Sequence, residues 1–386
     1  MADKQRHDTR RILIVSYFFH PEISPRAFRA FELAREFGRR GYLVDVVIPD
    51  NNFDYGEIEK KEGLKITKVP SGIIFRKQNI EAGTGKGPAG KSSALKRVAA
   101  QLLKTIFIEG TTSEFFLRLW HYFSADQPEY DLVISIGLPF NVHLGVWKML
   151  KTQKTVAFAD YGDSFAAPAL LKKIEKKVLK RFDWILVPTE SVRQCFNGLK
   201  DLDRVKILPQ GLRFDDFKTA KYSPNLPISF AYAGSFYEDL RDPTTFFDFL
   251  GELKQDFRFH IFANTSHPFT RKIIEKYQAK LGVRLVVSDL VPRAKCIEEL
   301  SRMDFIVSQK NLNADDRPSK LIDYALAKRP VFIYSQSFID KDLFMKFLER
   351  DYEGYFVELN RFHHIENVVA EIENLADAIR GGNSSE

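Results

Sequence analysis

Short, unbroken apolar runs alternate along this chain with longer stretches in which apolar residues return every third or fourth position. Ile12-Leu13-Ile14-Val15 is the first such run. A proline-bounded loop, His20 to Pro25, follows it. Phe28, Phe31, Ala34 and Phe37 then recur at roughly helical spacing until Gly41 stops them, and Tyr42 to Ile48 reads as the next strand. Continuous apolar strands separated by helical stretches predict a parallel sheet covered on both faces. After an irregular stretch the rhythm resumes, with strands at 132–134, 156–158, 185–187 and 205–208. A second series falls at 228–233, 257–262, 283–287, 305–307 and 331–333, separated by helices of about 10 to 15 residues.

The pattern therefore predicts an α/β chain of two Rossmann-like parallel-sheet domains facing an interdomain cleft. The first domain is expected over 1–215, with a mobile basic loop at about 78–94. A linker is expected over 216–225, near the two prolines of Lys221 to Pro227, and the second domain over 226–386, its final helix packing back on the first. No residue-level repeat relates the halves. Open parallel sheets bind ligands beyond the carboxyl ends of their strands, and a cleft between two such sheets is a favoured small-molecule site.

Composition narrows the class. A length of 386 residues suits two domains, and 44% hydrophobic residues with 34 Phe can fill two cores. The polar start MADKQRHDTRR has no apolar signal-type run behind it, and the apolar runs are far shorter than the ~20 residues of a membrane span. Only Cys195 and Cys296 occur, which suits a reducing compartment, so a cytoplasmic location is expected. The net charge of +7 is modest, but it is unevenly spread. Between Glu81 and Glu109 there are five lysines and arginines and no acid, and residues 172 to 181 hold six cations and one acid, Glu175. Such surfaces suit phosphates, anionic headgroups or nucleic acid.

Several segments carry candidate chemistry. Gly85 to Ser92 satisfies the phosphate-loop pattern G-x-x-x-x-G-K-S. No buried strand leads into it, and Pro88 lacks one of the N–H groups that such a loop uses, so a mobile basic loop is the better reading. Leu95, Val98, Leu102 and Ile106 then share one helical face, with Lys96, Arg97 and Lys104 elsewhere around it. That is the pattern either of a packed surface helix or of one lying on an anionic membrane at the inner face of the cell. In the second half, Tyr232-Ala233-Gly234-Ser235-Phe236 ends a strand before Arg241-Asp242-Pro243. Free amides at a helix start and an arginine beside them would hold an anion. DDRPSKLIDYALAKRPV, residues 315 to 331, repeats the device: Pro318 suits a first helical turn, Ser319 and Lys320 sit where a helix dipole attracts anions, and Asp323 lies one turn on. Plain capping and a Lys320–Asp323 pair would explain the same residues.

Taken together, these segments resemble the retaining GT-B glycosyltransferases of the large family-4 group. The resemblance runs from about Arg11 to Val331. It is carried by ILIVSYFFHPEISPRAFRAFELAREFGRRGYLVDVV, by VKILPQGLRFDDF, by FAYAGSFYEDLRDPTTFFDFL and by SKLIDYALAKRPV. It implies a metal-independent, hexosyl-type transferase that moves a sugar with retention from a UDP- or GDP-sugar to a glycan or lipid-linked acceptor. Cell-surface polysaccharide or lipopolysaccharide synthesis is the implied setting. The nucleotide-sugar is a substrate and no cofactor is expected; neither is nucleic-acid binding.

Position by position, the resemblance implies that Arg241 holds the donor diphosphate, with Gly234, Ser235, Pro318, Ser319 and Lys320 around it. Asp315 and Asp323 match the two acids that meet the donor sugar and the ribose, and Val291 lies in a turn that meets the base. Asp163 falls near the reaction centre, so Arg241, Lys320, Asp315 and Asp163 are the catalytic candidates. His20, Ser24 and Arg26 are the acceptor-side candidates. Three departures stand out: both acids are Asp rather than Glu, Ser235 replaces a second arginine, and Ser24-Pro25-Arg26 replaces a glycine pair. A non-catalytic relative that binds a glycan or a partner enzyme is the alternative, and an NTP-dependent phosphate-loop enzyme a remote one.

Overall fold

The computed structural model describes residues 10–70, 113–137, 139–162, 169–238, 241–310, 320–359 and 361–383. It divides into two compact units. One runs as far as Leu212 and takes back the C-terminal segment from Phe362; the other is Arg213–Arg361.

The first unit holds seven parallel strands: β1 (Arg11–Ser16), β2 (Leu43–Pro49), β3 (Leu64–Val69), β4 (Leu132–Gly137), β5 (Val156–Tyr161), β6 (Trp184–Val187) and β7 (Val205–Ile207). Their order is β3-β2-β1-β4-β5-β6-β7. The helices among the described residues are α1 (Pro25–Arg39), α2 (Gly56–Glu62), α3 (Ser113–Tyr122), α4 (Asn141–Met149), α5 (Ala169–Leu179) and α6 (Glu190–Gln194). Strands β1, β4 and β5 are buried on both faces, which is why they read as unbroken apolar runs. Helix α1 starts where expected: the Ser24 hydroxyl accepts from the Ala27 amide at 3.2 Å, and Pro25 opens the first turn. Its Ala30, Leu33, Ala34 and Phe37 pack on the apolar side chains of β1 and β2.

Strand β3, in the stretch read as irregular, pairs with β2 over Leu64 to Val69. Leu64 and Val69, on opposite faces, are both buried, but the exposed Lys65 and Lys68 break the apolar run that marks the inner strands.

The second unit has five parallel strands: β8 (Ile228–Ala233), β9 (Phe257–Phe262), β10 (Leu285–Ser288), β11 (Phe305–Gln309) and β12 (Val331–Tyr334), in the order β10-β9-β8-β11-β12. Helices α7 (Thr244–Glu252), α8 (Pro268–Leu281), α9 (Arg293–Ser301), α10 (Lys320–Leu326) and α11 (Lys341–Leu348) accompany them. Its core is built from phenylalanine. Phe230 stacks on Phe305 at 4.7 Å and on Phe259 at 5.0 Å, and Phe344 meets both Phe230 and Phe332 edge-on. Each such pair contributes about 0.5–1.5 kcal/mol beyond the area it buries. The strand expected from Val283 begins at Leu285, since Gly282 takes a positive φ of 55° and leaves Val283 78% exposed in a short turn.

Residues 217–227 are tied into this second unit. The Tyr222 hydroxyl donates to Asp304 at 2.7 Å and the Ala220 amide to the Ser301 hydroxyl at 2.8 Å. The last helix, α12 (Ile365–Asn383), belongs to the first unit, where Ile365, Val368, Val369 and Ile372 are fully buried against α1 and its sheet. Among the described residues no helix is long and apolar enough to cross a membrane.

Candidate functional site

In both sheets the strand order reverses beside the first strand of the series, between β1 and β4 and between β8 and β11. The crevice at such a switch point, beyond the carboxyl ends of the strands, is where an open α/β sheet takes a ligand. The loops leaving β8 and β11 therefore flank the second unit's crevice. These are the segments that carry Gly234, Ser235 and Arg241 on one side and lead to Lys320 and Asp323 on the other. Asp315, Pro318 and Ser319 lie outside the described residues, as does Asp163. Lys320 is the first residue of α10.

The β8 side differs from expectation in three respects. Gly234 takes a φ of 129°, which favours glycine, but its amide donates to the Phe262 carbonyl at 2.7 Å and so does not face an anion. The helix opens at Thr244, three residues later than expected. Its start is closed by its own acid, since Asp242 Oδ1 accepts from the Thr244 amide at 2.9 Å and from the Thr244 hydroxyl at 2.6 Å. A carboxylate already occupies the place where a helix dipole would attract a phosphate. The Phe236 amide, one residue past Ser235, is likewise taken, by the Thr270 hydroxyl at 3.1 Å.

Arg241 is what remains for an anion on this side. It pairs backbone to backbone with Tyr237, which closes a tight loop, and its guanidinium carbon lies 5.5 Å from the Tyr237 ring centroid. The Tyr232 hydroxyl sits beside the guanidinium; burial pushes that phenol up to about 12, against the pull of the Arg241 charge. Among the described residues, the buried Nε of Arg241 has no hydrogen-bond partner. A buried charged N–H without an acceptor costs about 1–3 kcal/mol, and sites that leave one are candidates for a missing ligand.

On the far side, Asp323 is gripped by a residue that the sequence did not single out. Arg293, the first residue of α9, donates Nε to Asp323 Oδ1 at 2.8 Å and Nη2 to the same oxygen. The expected Lys320–Asp323 pair is thus not needed to hold this carboxylate. Both partners are largely buried, and the Arg293 guanidinium carbon lies 5.9 Å from the Phe217 ring centroid. Val291 is two residues before Arg293, in a partly exposed turn. Tyr324, next to Asp323, donates its hydroxyl to the Ala233 carbonyl at 3.3 Å, which fixes α10 against the end of β8. Arg293 was missed because its partner is 30 residues away in sequence.

The first unit's candidates separate. Ser24 is the N-cap of α1. His20 stacks on Phe31 at 4.8 Å, and burial, aided by the Arg35 charge, holds its ring below the usual histidine range. Both residues shape the loop after β1. Arg26 reaches furthest, lying across the end of β5: a Cβ placed on Gly162 would fall 1.1 Å from its Nη1. Behind it is a buried polar chain that the sequence analysis did not find. His143 Nδ1 is 2.7 Å from the Ser135 hydroxyl, and its ring stacks on Tyr161 at 4.4 Å. Burial, with the Arg26 charge second, pushes His143 down to about 3, so it is neutral. Tyr161 in turn donates to Glu175 Oε1 at 3.1 Å.

Burial raises Glu175 to about 7, opposed by the Tyr161 hydrogen bond and the Lys172 charge. The folded chain therefore keeps this proton at pH values where the unfolded chain, titrating near 4.5, has lost it. Stability must fall as pH rises from about 4.5 to 7 on account of this group. Glu175→Gln keeps an acceptor for Tyr161 without the charge. Equilibrium unfolding should find it matched with wild type at pH 5 and more stable by about 1–3 kcal/mol at pH 8. A gap that did not change with pH would remove this reading of Glu175.

No family profile matches the sequence, and no curated protein does. Solved structures do. The chain is similar to a glycosyltransferase from Rickettsia africae, at 13% identity over 97% of this chain and 92% of that one, with a TM-score of 0.57. It is similar to HepE from Anabaena, solved in complex with UDP, at 8% identity over 97% and 100%, with a TM-score of 0.59. It is also similar to the lipopolysaccharide outer core galactosyltransferase WaaB, at 11% identity over 94% and 99%, with a TM-score of 0.55. Matching extends over nearly the full length of both chains, and on that likeness this chain has the GT-B fold.

Proposed function

We propose that the protein is a glycosyltransferase that takes a UDP- or GDP-sugar and moves its sugar, with retention and without a metal ion, to a glycan or lipid-linked acceptor. The observation that carries this reading is the presence at one switch point of an arginine whose buried Nε lacks a partner among the described residues and of a carboxylate held from behind by a second arginine. The first suits the diphosphate. The second suits ribose hydroxyls, because a carboxylate oriented by Arg293 accepts hydrogen bonds. HepE, of similar fold, has been solved with UDP and with UDP-glucose.

In the reaction, the bond from the sugar's anomeric carbon to the diphosphate oxygen breaks and a bond to the acceptor oxygen forms. The acceptor's proton passes to the departing diphosphate, so no separate base is assigned. Negative charge grows on the diphosphate as the bond breaks, and a fixed cation such as Arg241 stabilises it without reorganising. The resemblance in sequence supports retention, freedom from metal, and a place in the synthesis of cell-surface glycans from the cytoplasmic side.

The alternative, a relative that binds without catalysing, draws on one feature: the Gly234 amide and the start of α7 are already engaged internally. One screen separates the two. UDP, GDP, ATP and their sugar derivatives are tested by thermal shift and for release of nucleotide diphosphate. A UDP or GDP species at 100 times its Kd should stabilise the protein by about 2.7 kcal/mol. Asp323→Ala and Arg293→Ala should each lose most of that shift, and the transferred sugar should keep its anomeric configuration by NMR. A shift with release of nucleotide diphosphate would favour transfer; no shift with any nucleoside diphosphate and no release would end the transferase reading and favour the alternative, a relative that binds a glycan or a partner enzyme.

A further inference from the structure

One face of the first unit concentrates charge for which the proposed reaction has no use. Lys172, Lys173, Lys176, Lys177, Lys180 and Arg181 on and just after α5 are all exposed. Their spacing, two adjacent residues in every four, makes a single stripe along the helix. The opposite face is buried through Glu175, Val178 and Leu179. Glu175, the one acid of the segment, is buried on the opposite face and hydrogen-bonded by Tyr161, so it lies away from the stripe and one acid stands against six cations. Among the described residues none of the six is in a salt bridge.

The stripe continues on to the neighbouring helices. Arg181 Nη1 donates to the Leu150 carbonyl at the end of α4, at 3.1 Å. Just after α4, Lys151 Nζ lies 3.6 Å from the ring centroid of Trp147 on α4, and Lys177 of α5 approaches the same ring at 6.0 Å. On α3, Trp120 meets Lys148 at 5.2 Å and Lys151 at 5.7 Å, and Leu117 is 54% exposed. Asp126 and Glu129, in the loop after α3, are exposed acids, as are Asp201 and Asp203 just after Lys200, whose ammonium binds the carbonyls at the end of α5.

From this arrangement we infer that the α3–α4–α5 face docks on an anionic lipid bilayer. Lysine ammonium groups reach phosphate headgroups while their stems and the two indoles lie at the level where water gives way to acyl chains. Each cation near a negatively charged leaflet strengthens attachment several-fold, so six in one stripe suffice without an inserted segment. Single-stranded nucleic acid is a poorer fit, since it stacks bases on open aromatic faces, and the Trp147 ring is already capped by Lys151. The inference does not depend on the transferase reading, and its test involves no turnover.

The full-length protein is floated with phosphatidylcholine vesicles, with and without a quarter of phosphatidylglycerol. It should rise only with the anionic vesicles, and less at high salt. Lys172→Gln, Lys173→Gln, Lys176→Gln and Lys177→Gln combined should lower the partition by about 10²–10³-fold. Lys176→Gln with Lys177→Gln alone should lower it by about 10-fold or more and guards against misfolding of the larger variant. Lys60→Gln with Lys61→Gln, on exposed positions of α2, should float like wild type. Equal flotation on both lipid mixtures, or retention of wild-type flotation by the α5 variants, would overturn the inference. So would a single-stranded oligonucleotide that binds this face more tightly than the anionic vesicles do.

Discussion

Arg241→Ala is expected to lower turnover by roughly 10²–10³-fold, equivalent to about 2.7–4 kcal/mol, which is the usual loss when one preorganised donor to a developing anion is removed. The expectation rests on placement. Arg241 stands at the mouth of the β8–β11 switch point, its loop is pinned by the Tyr237 backbone pair, and its Nε is enclosed without an acceptor among the described residues. With the Gly234 amide and the α7 start engaged elsewhere, little on the β8 side can take over its role. Arg241→Lys keeps a charge but not the planar fork, so it should recover only part of the loss. Steady-state kinetics of Arg241→Ala within a few-fold of wild type would rule the role out, whatever the donor sugar.

Arg29→Ala should be the most destabilising single change in the first unit, at about 3–5 kcal/mol, because it leaves a buried carboxylate unpaired. Arg29 is 4% exposed on the sheet-facing side of α1. It donates Nε at 3.0 Å and Nη2 at 2.8 Å to Asp160 Oδ2 on β5, and Nη1 at 3.0 Å to the Pro209 carbonyl. One side chain thus joins the first helix, the middle of the sheet and the chain leaving β7. Denaturant unfolding should show the midpoint shifted at an unchanged slope. The double change Arg29→Met with Asp160→Leu should recover most of the loss, since the pair's net worth is small beside the penalty of a lone buried charge. A single variant within 1 kcal/mol of wild type would show that the pair does not hold these elements together. Arg26 is one turn from Arg29, so any shift of α1 would also move the guanidinium that covers Gly162.

The parts legible in the sequence are those whose cause is local. Strands β1, β4 and β5 announced themselves as apolar runs because a central parallel strand is covered on both faces. Ser24-Pro25 marked the start of α1 because a cap and a first-turn proline act on their own neighbours. The edge strand β3 escaped because its exposed Lys65 and Lys68 interrupt the apolar run. The start of α7 was placed three residues early because Asp242, not Arg241, terminates the loop.

Sequence by itself determined the two-sheet α/β architecture and the uneven basic charge, and its resemblance to the GT-B glycosyltransferases offered Arg241 and Asp323 as expected donor contacts. Only the tertiary structure decided how those residues are used. It closed the Gly234 amide and the α7 start to any anion, supplied Arg293 as the support of Asp323, and buried Glu175 on the face of α5 opposite its exposed lysines. The physical reason is one of range. Propensity, capping and periodicity act within a few residues, whereas hydrogen bonds and ion pairs satisfy each group with whatever the fold brings within 3 Å, however far off it lies along the chain.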